Sequence, residues 1–459
     1  MDKFVKRSFD FDELILLIKE NKVHIDTFDG VNKTLLMLAA NLGNDAIVQE
    51  LIKFGAKIDL RNNECHTALM QATQGNCSNE NEYSLISASP KSSINNVCKI
   101  LIAQGADVNT KDQYGDSVLM HACHKGLGDH VDLLLAHGAD VNYENNNNTS
   151  LIFAARGGFD QIILKLLDKG ANMHHKNALG CTALSEAAAN GFEGTVNILK
   201  QRGADINSQD NDGNTPLLRS IEGGYKCVIN TLLTSNADVH IKNNSGDTVL
   251  MASIRQRINE TLIEQILEKK PDLDAKARNN NTALGYAIDT KNEKLALTLI
   301  ALGACPNVKH NGYPLLVKAI KNNLNCVIEK LIGKVDLNAK VIIDNVYLNN
   351  SRSNDDNALL SAVASKNILL VEKLVKFGAD INAVGYLGRS ALMDAIASYN
   401  TEMALFLISL GSNLEVKDKN GRTALDYAAR YGDENVKDKI NEINAQSEEK
   451  RNLLKIRMR

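Results

Sequence analysis

The sequence predicts an all-α solenoid of tandem repeats with short β-hairpin fingers, and three observations predict it. Leu36, Leu69, Leu119, Leu151, Leu184, Leu217, Leu250, Leu284, Leu316, Leu359, Leu392 and Leu425 open nearly the same phrase twelve times, mostly 31 to 34 residues apart. A fixed period in the low thirties means one supersecondary unit copied along an axis, each copy burying its apolar face on its neighbours. Second, Ser or Thr stands two residues before that leucine in ten copies (Thr34, Thr67, Ser117, Thr149, Thr182, Thr215, Thr248, Thr282, Ser390, Thr423), where a hydroxyl accepts an orphan backbone N–H at a helix start. Third, Gly55, Gly105, Gly138, Gly170, Gly203, Gly303, Gly378 and Gly411 follow the second apolar stretch, with Asn236 substituting once. That is the left-handed position that ends a helix.

Taken in order, residues 1–31 read as an N-terminal capping half-repeat. Their apolar run, Leu14 to Ile18, is flanked by Asp12, Glu13, Lys19 and Glu20, and is too short for a secretory signal or a membrane span. Residues 32–445 read as the repeat array. In each copy small residues such as Ala39-Ala40 or Ala154-Ala155 let a short first helix pack closely. A second helix follows with apolar residues at i, i+1, i+4 and i+5, as in Ile162, Ile163, Leu166 and Leu167. Asp-Gly or Asn-Gly pairs at 212-213, 311-312 and 420-421 then turn the chain through a finger into the next copy. Leu69 to Gly105 spans 36 residues against the usual 19, so residues 77–93 are expected to form a mobile loop away from the fingertips. Leu316 to Leu359 spans 43, with the surplus near 340–356. There Val341-Ile342-Ile343 and Val346-Tyr347-Leu348 flank Asp344-Asn345, which predicts an extended hairpin offering Ile343, Tyr347 and Leu348 to a partner. Residues 446–459 form a basic tail whose last ten residues carry five positive charges and no negative one.

Asp212-Gly213-Asn214-Thr215-Pro216-Leu217, then Gly180-Cys181-Thr182-Ala183-Leu184-Ser185-Glu186-Ala187-Ala188, and Gly203-Ala204-Asp205-Ile206-Asn207 together resemble the ankyrin repeat. The likeness covers roughly residues 22–445 and implies an ankyrin-repeat α-solenoid that binds proteins on a concave face of fingertips and first-helix ends. On this sequence those positions are Tyr114, Asp116, Leu179, Asn211, Asp212, Arg278, Tyr313, Tyr386, Leu387 and Arg389 at the tips. His124, Arg156, Glu222, Arg255 and Lys321 lie at the helix ends. The resemblance also marks Asn109, Asn142, Asn207 and Asn382 as matching the acceptor pattern for asparaginyl hydroxylation, although Asn there also stabilises the finger through its own side chain. The chain departs from the family in one constant respect. The histidine usual after Thr-Pro-Leu is absent from every copy, replaced for example by Met37, Met70, Met120, Gly285 and Met393. Pro314 and Asn357 replace the capping Thr, and Lys269-Lys270-Pro271 replaces the Gly-Ala close of the seventh copy.

Composition points to an interaction protein. A formal charge of -3 and a pI near 6.4 give no pull toward nucleic acid or an acidic membrane. Eight cysteines are scattered singly, as free thiols in a reducing, cytoplasmic setting. No catalytic motif is found and no catalytic domain fits beside the array, so the reading is a non-enzymatic, monomeric scaffold for protein partners without cofactor, metal, nucleic acid or membrane insertion. The absence of tryptophan and the asparagine and lysine bias suggest an adaptor or secreted effector of an intracellular microbe, acting in host cytosol. The alternative is an enzyme or metal-binding protein with a cryptic site among Cys65, His66, His121, Cys123, His124, His130 and His137 in copies two and three. Because copies seven to ten lose caps and a Gly-Ala close, hydrogen exchange should be faster over residues 250–345 than over 150–240. Equal protection of the two stretches would refute that gradient.

Overall fold

The computed structural model describes residues 11–20, 22–30, 32–75, 91–341, 357–431 and 433–457. The hairpin expected over 341–348, with Ile343, Tyr347 and Leu348, lies outside them apart from Val341, as does most of the expected loop at 77–93. That loop ends sooner than its sequence suggests: Lys91–Ala103 is helical.

The chain divides into two compact units, residues 1–238 and 239–459, with the division in the close of the sixth copy. In the first unit, Phe11–Lys19 precedes six helix pairs, from Leu35–Asn41 with Asp45–Lys53 to Pro216–Glu222 with Lys226–Thr234. Within this unit each first helix packs on its own second helix and on the first helices of the neighbouring copies. The second unit repeats this from Val249–Arg255 with Glu260–Glu268 to Ala424–Tyr431 with Glu434–Arg457. Its last helix runs without a break through the expected array boundary at 445 into the basic tail. Apart from Leu425, which is intermediate, the repeat leucines are buried, as are Ala39, Ala40, Ala154, Ala155, Ala187 and Ala188. The small residues are what let the short helices close on one another.

The caps form as their chemistry requires. Thr34, Ser117 and Thr182, for example, accept the N–H groups of Met37, Met120 and Ser185 at 3.2 to 3.3 Å. Each such cap contributes on the order of 1 kcal/mol. Asn357 is not the lost cap that its sequence suggests: its Oδ1 accepts from the Leu360 N–H at 3.0 Å. Pro314 does lack a side-chain cap, and the second helix after it, Asn325–Leu331, has seven residues where nine are usual. After the second helices, Gly55, Gly105 and Gly303 take φ of 88°, 92° and 99°, Asn236 takes 62°, and Lys270 takes 52° in place of the missing glycine. A Cβ at that conformation strains the close of copy seven.

Among the described residues, two fingers are true hairpins. Glu144–Asn145 pairs with Asn148–Thr149, and Lys309–His310 with Tyr313–Pro314, each about two residues with positive φ, Asn146-Asn147 and Asn311-Gly312, as a type I′ turn requires. Six others are closed by one carboxyl or carboxamide oxygen. The Oδ1 of Asn62, Asp112, Asn177, Asp210, Asn243 or Asp418 accepts the N–H groups two and four residues ahead at 2.8 to 3.0 Å.

Adjacent copies are joined by a second asparagine. Asn109 accepts the Asp140 N–H at 2.9 Å and donates to the Gly138 carbonyl at 3.2 Å, and Asn142 does the same with Asn172 and Gly170. Asn207 and Asn382 accept from Asp238 and Asn413. The side chain therefore serves the next copy's close rather than its own finger. The family histidine missing from copy eight leaves a space at Gly285 that the next finger fills: a Cβ there would meet His310 Nδ1 at 2.2 Å. His310 is fully buried, its Nε2 3.0 Å from Asp289 and its ring edge-on to Tyr286.

Asp418 gives the array an acid-sensitive point. Burial alone raises its carboxyl, but the Arg422 and Asn420 N–H groups, the Arg422 guanidinium and the Tyr427 hydroxyl outweigh it and hold Asp418 well below the usual carboxylate range. A depressed folded value stabilises above the ordinary value of 3.8 and loses that stabilisation as pH falls toward the folded one. Asp418→Asn keeps the turn, since Asn62, Asn177 and Asn243 serve in the same slot, but lacks the charge. The wild-type advantage over this variant in urea unfolding should be largest near neutral pH and shrink as pH falls below 3.8; a constant difference would contradict the assignment.

Candidate protein-binding surface

The closed fingers leave one position free of structural duty, the residue just before the tip glycine. Neighbouring tips are tied through their backbones, Gln113 N–H to Glu64 carbonyl at 2.8 Å and Asn211 N–H to Leu179 carbonyl at 2.9 Å in the first unit. In the second, Arg278 bonds Ser245 and Lys419 bonds Leu387 in the same manner. These bonds use main-chain atoms, so the side chain before the glycine projects. Tyr114, Leu179 and Leu387 occupy that position and are 70%, 60% and 36% exposed. Elsewhere the slot holds polar residues such as Asp212, Ser245 and Asn420.

The other sequence-derived positions differ in exposure and in the contacts their side chains make. Asp212, Glu222, Arg278 and Lys321 are exposed, and Lys321 stands 4.9 Å from the Tyr313 ring. His124 is exposed and meets Phe153 edge-on. Asn211 is spent on architecture, its Nδ2 donating to the Ala178 carbonyl at 2.9 Å, and Asp116 receives Asn145 at 2.8 Å. Three of the arginines are paired as well. Arg156 forks onto the buried Glu186 at 3.0 and 3.2 Å, which raises the guanidinium chiefly through those hydrogen bonds. Arg255 meets Asp247 at 2.7 Å, and Arg389 meets Asp394 at 2.6 Å while lying over Tyr427. Tyr386 sits in the one-turn 3-10 segment Tyr386–Gly388 beside Leu387, a non-glycine residue at φ 59°.

The cysteines and histidines of copies two and three sort differently from their order in the sequence. Cys123 is fully buried and burial pushes its thiol far above the ordinary value, so it is a packing residue. His130 is buried on Gly128–Ala136, and His137 Nδ1 lies on the Leu133 carbonyl at 2.8 Å. His66 and His121 do converge, and on a residue that the sequence reading passed over, Asp112. The signal was present, since Asp112 stands three residues before a tip glycine like Asp210 and Asp418.

A model of ankyrin repeats, three copies to the unit, matches residues 7–81, 85–177, 158–243, 222–310 and 359–441. The chain belongs to the ankyrin-repeat family. The matched segments pass over 311–358, where this ankyrin array has Pro314 and its shortened second helix. The chain is also similar to the crystal structure of the human ASB11 ankyrin repeat domain, at 21% identity and a TM-score of 0.44, over 52% of this chain and 98% of that one. Comparison with curated proteins gives no match. Ankyrin arrays are protein-interaction scaffolds, and among the described residues no helix is long and apolar enough to cross a membrane.

Alanine at the two kinds of tip residue should separate recognition from architecture. Tyr114→Ala and Leu179→Ala should change unfolding free energy by less than about 0.5 kcal/mol, whereas Asn211→Ala, which frees the Ala178 carbonyl, should lower it by about 1 kcal/mol. Equal losses at all three would show that the projecting residues are structural.

Proposed function

We propose that this ankyrin-repeat protein is a non-enzymatic scaffold that binds a protein partner through its fingertips and the exposed ends of its first helices. The observation that carries the reading is the projection of Tyr114, Leu179 and Leu387 from one slot that is polar in other copies. A large apolar side chain held in water gains nothing for the fold, while the same side chain buried in an interface contributes about 1.5 to 3 kcal/mol. Tyr is also a frequent anchor of protein interfaces. His124, Asp212, Glu222 and Lys321 supply polar groups around these anchors. Asparagine and lysine enrichment supports a role as an adaptor or effector in a host cytosol, and the basic end of the last helix supports an addressing function there.

Photocrosslinking tests the face directly. A photoreactive residue at Tyr114 or Leu179 should give a discrete protein adduct in host-cell lysate, and one at Leu369, 77% exposed on the second helix Ile368–Lys376, should not. Equal adducts from all three positions, or adducts from Leu369 alone, would overturn the assignment of the tips.

A further inference from the structure

We propose that His66, Asp112 and His121 form a zinc site that clips copy two to copy three. His66 directly precedes the cap of the helix Ala68–Gln74, Asp112 heads the following finger, and His121 lies on the helix Val118–His124 that this finger leads into. One donor atom from each residue falls in a group whose members all lie within 4.8 Å of one another. His121 Nε2 is 3.0 Å from Asp112 Oδ2, and His66 Nε2 is 3.9 Å from the same oxygen. Tetrahedral zinc with bonds near 2.0 to 2.2 Å separates its donors by about 3.4 Å, so the two distances to Asp112 are within about 0.5 Å of that value and no pair has to close by more than about 1.4 Å.

The surroundings prepare each donor. Asp112 spends Oδ1 on the N–H groups of Tyr114 and Asp116, which leaves Oδ2 for a cation. Glu64 Oε2 lies 3.1 Å from His66 Nδ1. A carboxylate there holds the proton on Nδ1 and turns the Nε2 lone pair toward Asp112, the outer-shell arrangement that orients metal-bound histidines. The Gln74 amide stands 3.2 Å from His66 Nε2 and swings away when an ion takes that lone pair. His121 is partly open to solvent, which gives an ion a way in and a fourth position for water.

Charge compensation supplies the independent argument. The Asp112 side chain is 2% exposed, and among the described residues no lysine or arginine pairs with it. The same register in copies five and six holds Cys181, Asp210 and Arg219, where the Arg219 guanidinium lies 2.8 Å from the equally buried Asp210. Asp418 likewise has Arg422 at 2.8 Å. Copies two and three put imidazoles where copies five and six put a thiol and a permanent cation, and a bound divalent ion restores the missing positive charge. Two nitrogens and one carboxylate suit zinc, whereas calcium and magnesium take oxygen donors.

The test uses the full chain, stripped with a chelator, and zinc alone, titrated in competition with a chromophoric chelator. One equivalent should bind. Glu64→Gln should weaken binding roughly tenfold. His66→Gln and His121→Arg should abolish it, while His130→Ala and His137→Ala leave it unchanged. His121→Arg reproduces the Arg219–Asp210 pairing, so it should melt without metal at or above the wild-type temperature, which separates loss of a ligand from loss of the fold. Cobalt bound in place of zinc should show the intense visible absorption of a tetrahedral ion. No zinc bound by the wild type, or the same affinity in His66→Gln and His121→Arg, would overturn the site. Either result would leave the fingertip reading untouched.

Discussion

Helices of seven and nine residues do not persist alone in water, because each nucleus fixes more backbone than its few hydrogen bonds repay. Every first helix here has seven or eight residues and every regular second helix nine, so each exists only against its neighbours. Burying one repeat leucine contributes about 1.5 to 3 kcal/mol, whereas a typical hydrogen bond adds about 0.5 to 1.5. The leucines therefore drive the stack, and the polar groups set its register. This is why both compact units show the same neighbour-to-neighbour packing, and why a weak copy such as the ninth can sit among firm ones.

The polar groups divide their work cleanly. Asx oxygens close the fingers, asparagines bridge from one close to the next, and neighbouring tips are tied by main-chain bonds together with side chains such as Asn211 and Asn145. What remains is a short set of side chains with no structural duty, and these are the ones available to a partner. The arginines at first-helix ends and at one fingertip look like interface anchors in a sequence, yet Arg156, Arg255 and Arg389 are committed to Glu186, Asp247 and Asp394. A residue already paired offers less to a partner than one projecting into water.

Burying the carboxylate that closes a finger creates a recurring problem, and the copies solve it in different ways. Arg219 answers Asp210, and Arg422 with Tyr427 answers Asp418. Asn177 and Asn243 avoid the charge altogether. Asp112 is answered by imidazoles, and this makes copies two and three chemically distinct from the rest of the array. The same economy appears at Gly285, where the absent family histidine leaves a space that His310 enters from the next finger.

The period, the caps and the left-handed glycines were legible in the chain because they are local: a Thr two residues before a leucine, or a Gly after an apolar stretch, makes its contacts within a few positions. Fold class and family follow from such features repeated twelve times. Tertiary structure decided matters that depend on partners some thirty to fifty residues away. It placed Asn109 and Asn142 on the next copy's backbone and spent Asn211 on a neighbouring finger. It also brought His66 to Asp112 across 46 positions, the difference of their residue numbers. Spacing along a chain cannot report such a meeting, because which side chains converge depends on how one copy stacks on the next.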